Sequence, residues 1–90
     1  PHKMAILGDM KELGEASKEE HQKIADYLNS CGLERIILVG SEFKSTNHPG
    51  TVLDDVEQVK AELQNHKPHG FYILVKGSNS TKLYQLPDYL

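Results

Sequence analysis

Arg35-Ile36-Ile37-Leu38-Val39-Gly40 is a continuous run of β-branched and aliphatic residues closed by glycine, the pattern of a strand covered on both faces. It reads as the central strand of a sheet. Lys3-Met4-Ala5-Ile6-Leu7, closed by Gly8-Asp9, shows the same pattern upstream. Phe71-Tyr72-Ile73-Leu74-Val75, running into Lys76-Gly77-Ser78-Asn79-Ser80, shows it downstream. Thr51-Val52-Leu53 is a shorter and weaker candidate.

The segments between these runs change period. From Glu15 to Ser30 the residues Ala16, Ile24, Ala25, Tyr27, Leu28 and Cys31 recur at helical spacing amid Lys and Glu, and Gly32 stands where a helix commonly stops. Ser41 to Gly50 is polar and reads as a loop with a short helical turn around Phe43. Asp54 or Asp55 can cap a helix that runs to about Asn65, and Lys67-Pro68-His69-Gly70 breaks it. A final helix is expected from Thr81 to Leu86, stopped or kinked by Pro87. Strands alternating with helices in this order predict parallel strands joined by right-handed crossovers. The expected fold is α/β: one Rossmann-like layered domain across residues 1–90, with a mainly parallel sheet flanked by helices.

Composition removes several function classes. The chain has 90 residues, 38% hydrophobic and 26% charged, which suits one folded domain rather than a disordered chain. Its net charge is -3 and its ten Lys and Arg residues are scattered, so there is no basic stripe to follow a nucleic-acid backbone. The longest apolar runs are too short to cross a bilayer, so no membrane insertion is expected. A single cysteine, Cys31, cannot form an internal disulfide, and the cytoplasm is the simplest compartment. A chain that opens Pro1-His2-Lys3 directly before a strand reads as a piece of a longer polypeptide.

In open parallel sheets, ligands bind beyond the carboxyl ends of the strands, where the strand order reverses. Two polar turns should lie on that edge: Gly8-Asp9-Met10-Lys11-Glu12-Leu13-Gly14 and Lys76-Gly77-Ser78-Asn79-Ser80. Asp9 and Glu12 would then face Lys76, Ser78 and Ser80 across a crevice, which suits a zwitterion carrying one ammonium and one carboxylate. No G-x-x-x-x-G-K-[ST] or G-x-G-x-x-G sequence occurs, so phosphoryl transfer is not expected of this chain alone. His2, His48, His66 and His69 are dispersed without metal-ligand spacing, and no metal site is expected.

The same turns carry a family resemblance. Ile6-Leu7-Gly8-Asp9-Met10-Lys11-Glu12-Leu13-Gly14, followed by His21, then Val39-Gly40, then Val75-Lys76-Gly77-Ser78-Asn79-Ser80, is similar in order and spacing to three segments of the Mur ligases. The resemblance spans nearly the whole chain. It implies the C-terminal, substrate-binding domain of a three-domain ATP-dependent amide ligase of peptidoglycan precursor synthesis. The implied substrates are D-alanyl-D-alanine and a UDP-muramoyl tripeptide, and the implied cofactors are ATP and Mg2+, held mainly by a central domain outside this chain. The implied chemistry is an acyl phosphate on the tripeptide carboxylate, attacked by the dipeptide amine. It implies substrate-binding roles for Asp9, Glu12, Lys76, Ser78, Asn79 and Ser80, with Gly8, Gly14, His21 and Gly77 as structural support and no catalytic residue here. Asn79 stands where the family commonly has arginine, and it cannot hold a carboxylate bidentately.

Each residue also has a plainer reading. Asp9 and Glu12 suit any strand-to-helix turn, where the helix dipole favours acids. Ser78, Asn79 and Ser80 suit a helix cap before Thr81, and Lys76 suits a solvated strand end. His21 and Cys31 suit helix packing. On that footing the chain would be a free-standing α/β module that binds a small molecule without catalysis. A phosphoacceptor signalling domain fits less well, because the central strand ends Val39-Gly40-Ser41 without an aspartate.

Overall fold

In the computed structural model, which describes residues 2–90 apart from the side chain of Asn79, four strands form one sheet. They are β1 (His2–Gly8), β2 (Arg35–Val39), β3 (Thr51–Leu53) and β4 (Phe71–Lys76), in the order β3-β2-β1-β4. All three pairings are parallel, with Gly8 opposite Val39 and Leu7 opposite Lys76. The sheet is thus wholly parallel, as the unbroken apolar runs require: parallel strands need crossovers, and the crossovers cover both faces.

Helix α1 (Ser17–Asn29) and the single turn α2 (Ser41–Lys44) lie on one face, and α3 (Val56–Asn65) lies on the other. Alternate residues of β1 separate the two cores. Ala5 and Leu7 pack with Leu28, Leu38 and Phe43 under α1 and α2. Met4 and Ile6 pack with Ile37, Val39, Val56, Val59 and Leu63 under α3. Asp55 caps α3, its carboxylate accepting the Gln58 amide at 3.0 Å.

The C-terminal stretch departs from expectation. In place of a helix from Thr81 to Leu86 there are three separate 3-10 turns, Asn79–Thr81, Leu83–Gln85 and Pro87–Tyr89. Lys82 adopts φ 55° and ψ 29°, a left-handed conformation that an α-helix cannot contain. It separates the first two turns, and Pro87 opens the third. The apolar side chains are still used: Leu83 and Leu86 are buried and extend the α3-side core.

Candidate functional site

The strand order reverses between β1 and β4. The chain moves from β1 outward through β2 to β3, then returns across the sheet to β4. The turns after β1 and β4 therefore stand side by side at the carboxyl edge, at the place where such sheets bind ligands.

Glycine makes their close approach possible. A Cβ on Gly8 would lie 2.6–2.9 Å from the Thr81 side chain, and a Cβ on Gly77 would lie 2.7 Å from Thr81 Oγ1. Thr81 fills the space between the two strand ends, and its hydroxyl donates to the Ser78 carbonyl at 2.7 Å. The Ser78 and Ser80 hydroxyls pair at 2.7 Å, which fixes the two side chains relative to each other.

A cleft of about 390 Å³ opens between these turns, lined by Leu7, Gly8, Met10, Lys11, Ile24, Phe43, Lys76, Gly77 and Ser78. Its floor is apolar, with the Lys11 and Lys76 side chains and the Ser78 hydroxyl as polar groups. A second, more polar cleft of about 550 Å³ lies beyond the ends of β1, β2 and β3, with Asp9, Gly40, Asp54, Asp55, Ser80 and Lys82 among its walls. Lys11 borders both. The sequence-predicted residues are thus divided, with Lys76 and Ser78 in the first cleft and Asp9 and Ser80 in the second. Glu12 is exposed and lines neither cleft.

Asp9 has a structural occupation. It is only 4% exposed, and its two carboxylate oxygens accept the backbone amides of Glu42 at 3.0 Å and Phe43 at 3.1 Å. It thereby satisfies free donors at the start of α2. Gly40 makes room for it: with φ 118°, Gly40 is without the Cβ that would sit 2.2 Å from the carboxylate.

His21 ties the first turn to α1. It is fully buried; Nδ1 donates to the Ser17 carbonyl at 2.6 Å and Nε2 accepts the Met10 amide at 3.0 Å. Those two bonds define one neutral tautomer. The ring stands edge-on to Phe43, with centroids 4.7 Å apart. Ser17 Oγ donates to Glu42 Oε1 at 3.0 Å and closes the network between α1 and α2. The Gly8–Gly14 turn is held from two sides, by Asp9 and by His21.

No α-helix begins at Ser78 to Ser80, only a 3-10 turn, so the capping reading of those residues has no helix to cap. Among the described residues no group of three or more His, Cys, Asp or Glu could hold a metal ion. The carboxylates that line the second cleft, Asp9, Asp54, Asp55 and Glu57, do not form such a group, and the sequence has no G-x-x-x-x-G-K-[ST] phosphate loop. No helix among the described residues is long and apolar enough to cross a membrane.

Lys11 was not singled out from sequence, although it lies in the turn that was. Its only signal was its place between two glycines in a turn after a buried strand.

No family model matches the chain. Curated relatives do, among them two named UDP-N-acetylmuramoyl-tripeptide–D-alanyl-D-alanine ligase. One, from Buchnera aphidicola, is 34% identical over 97% of this chain. The other, from Rickettsia prowazekii, is 29% identical over 98%. The chain spans about a fifth of their length, 20% and 21%. Among solved structures, the MurF ligase of Thermotoga maritima in complex with ADP superposes with a TM-score of 0.75 at 27% identity, over 98% of this chain and 21% of that one. A MurF structure from Acinetobacter baumannii gives 0.68 at 26% identity, over 92% of this chain and 20% of that one. Sequence and fold agree over nearly the whole chain and place it in the Mur ligase family, as a homologue of one domain-sized segment of the UDP-N-acetylmuramoyl-tripeptide–D-alanyl-D-alanine ligases.

Proposed function

We propose that this chain is the C-terminal domain of a cytoplasmic ATP-dependent ligase that joins D-alanyl-D-alanine to a UDP-N-acetylmuramoyl tripeptide in peptidoglycan precursor synthesis, and that its part is to present the dipeptide. The observation that carries the reading is the meeting of two family-like turns, Gly8–Gly14 and Lys76–Ser80, around one cleft at the reversal of strand order. ATP and Mg2+ belong, in this reading, to the remainder of the ligase.

Lys76 and Ser78 bind the dipeptide carboxylate from the β4 side, where a charged donor and a hydroxyl converge. The apolar floor of the cleft accepts the two alanine methyl groups. The dipeptide amine is left to attack the carboxyl carbon of the tripeptide's acyl phosphate, forming the new amide as the bond to phosphate breaks and inorganic phosphate and the amine proton leave. Ser80 contributes from the neighbouring cleft, whereas Glu12 lines neither cleft and the Asn79 side chain lies outside the described residues. Asp9 acts through its hold on the turn; with its oxygens already accepting two amides, it is less available to the dipeptide amine than its charge suggests.

The cleft is open to solvent on this chain, and binding strong enough for catalysis requires another domain to close over it and exclude water. The isolated chain is therefore expected to be inactive toward ATP. The test is an assay of the full-length protein with ATP, UDP-N-acetylmuramoyl tripeptide and D-alanyl-D-alanine, following ADP and the pentapeptide product. Formation of both together supports the reading. ADP release without the dipeptide, or turnover of ATP by these 90 residues alone, overturns it.

A further inference from the structure

The second cleft, about 550 Å³ beyond the ends of β1, β2 and β3, is lined by charged groups that do not balance one another. Its four carboxylates all have partners. Asp9 accepts the Glu42 and Phe43 amides, and Asp55 accepts the Gln58 amide. Asp54 pairs with Lys44 at 3.0 Å, and Glu57 with Lys60 at 3.0 Å. Two lysines line the same cleft, Lys11 from the turn after β1 and Lys82 from the stretch after β4. Among the described residues no side chain answers either of them. The donors left over are ammonium groups, which donate and cannot accept, so the group that satisfies them is an anion.

Lys82 is also held in an unfavourable backbone. Its φ of 55° and ψ of 29° are left-handed, a conformation that crowds a Cβ against the following carbonyl and that glycine takes freely. The chain on either side is anchored. Thr81 is wedged against Gly8 and Gly77, Leu83 is buried, and Gln85 accepts from Lys60 at 2.8 Å. Lys82 itself is exposed on the wall of the cleft. A side chain kept at a strained position beside a cleft points to use of that side chain.

The proposed reaction names the anion. The dipeptide carboxylate is taken by Lys76 and Ser78 in the first cleft, and the other anionic group at the point of reaction is the phosphoryl group of the tripeptide's acyl phosphate. For attack, the amine must come within about 3 to 3.5 Å of the acyl carbon, so the phosphoryl group occupies space that adjoins the dipeptide. The second cleft adjoins the first across Lys11, which borders both. Attack forms the C–N bond and breaks the C–O bond to phosphate. Phosphate leaves with the electron pair of that bond, and the amine proton passes to solvent. Negative charge grows on the phosphate oxygens as it does so, and fixed cations placed there lower the barrier.

We infer that Lys11 and Lys82 form a phosphoryl-binding pair, which holds the phosphoryl group of the acyl phosphate in the second cleft and stabilises it as it leaves. The inference deepens the proposed function and rests on it. Inorganic phosphate, the same group after release, is the probe.

The test uses the full-length ligase and its Lys11→Ala, Lys82→Gly and doubly substituted variants. Glycine at 82 relieves the left-handed backbone, so the melting temperature should stay unchanged or rise, which a structural role for Lys82 does not predict. Each single variant should lose about tenfold or more in kcat, and inorganic phosphate should inhibit it about tenfold less tightly than the wild type. KM for D-alanyl-D-alanine and for ATP should stay within about twofold. Lys82→Arg, which keeps the charge, should retain most of the activity. Wild-type kcat and wild-type phosphate inhibition in the double variant would overturn the inference. So would a raised dipeptide KM alone, which gives the pair to the dipeptide carboxylate, or a raised ATP KM alone, which gives it to the nucleotide. A wild-type ligase that forms no peptide product from ATP, tripeptide and dipeptide would instead sink the functional reading beneath it.

Discussion

Glycine positions at the carboxyl edge are set by what sits against them. Gly8→Ala is expected to push Thr81 out from between β1 and β4, since the new Cβ would meet its side chain inside van der Waals contact. The cost of such overpacking is on the order of 1 to 3 kcal/mol, and Thr81→Ser, which removes one methyl, should recover part of it; urea melts of the two single variants and the double variant measure the coupling. Asp9→Ala leaves two amides at the start of α2 without acceptors. It is expected to cost on the order of 2 to 4 kcal/mol, with Asp9→Asn milder because the amide oxygen can still accept one bond. A loss of stability from Asp9→Ala with unchanged dipeptide KM in the full-length ligase would fix its role as structural; an altered KM without loss of stability would show direct contact with the dipeptide. That dual occupation could not be read from the sequence, because Asp9 accepts from residues more than thirty positions away.

The helices and strands were legible to different degrees, for physical reasons. The runs at Lys3–Leu7 and Arg35–Val39 identified their strands because central strands are covered on both faces, and Phe71–Val75 identified an edge strand that packs only Phe71, Ile73 and Val75 into the core while Tyr72 and Leu74 stay exposed. The Asp54-Asp55 pair marked the start of α3 because capping is local, and Asp55 is the one that caps it. Asp55→Ala should cost on the order of 1 kcal/mol. Leu63→Ala, in the α3-side core with no solvent exposure, should cost on the order of 2 to 5 kcal/mol. Thermal unfolding of both variants checks the ranking, and an Asp55 effect as large as the Leu63 effect would mean that α3 is held by its cap more than by its packing. The stretch after Ser80 was not legible. Its apolar spacing fits one helical turn as well as a series of 3-10 turns, and six residues form too short a helix to stand without tertiary support. The left-handed Lys82 that decides between the two gives no sign in its side-chain type.

For the molecule as a whole, the parallel sheet with its reversal between β1 and β4 brings the two turns to one cleft, and this much of the site followed from the order of elements alone. The division of the predicted residues between two clefts did not, since it depends on how far each turn bends after its strand. The account rests on Lys76 meeting the dipeptide. Its most direct test is steady-state kinetics of Lys76→Ala in the full-length ligase, with thermal stability measured on the same preparation. Loss of one charge-assisted hydrogen bond is worth on the order of 1.5 to 3 kcal/mol, so kcat/KM for D-alanyl-D-alanine should fall about 10- to 150-fold. KM for the UDP-muramoyl tripeptide and the melting temperature should stay unchanged. Unaltered dipeptide kinetics, or a uniform loss across all substrates together with a lowered melting temperature, would contradict it.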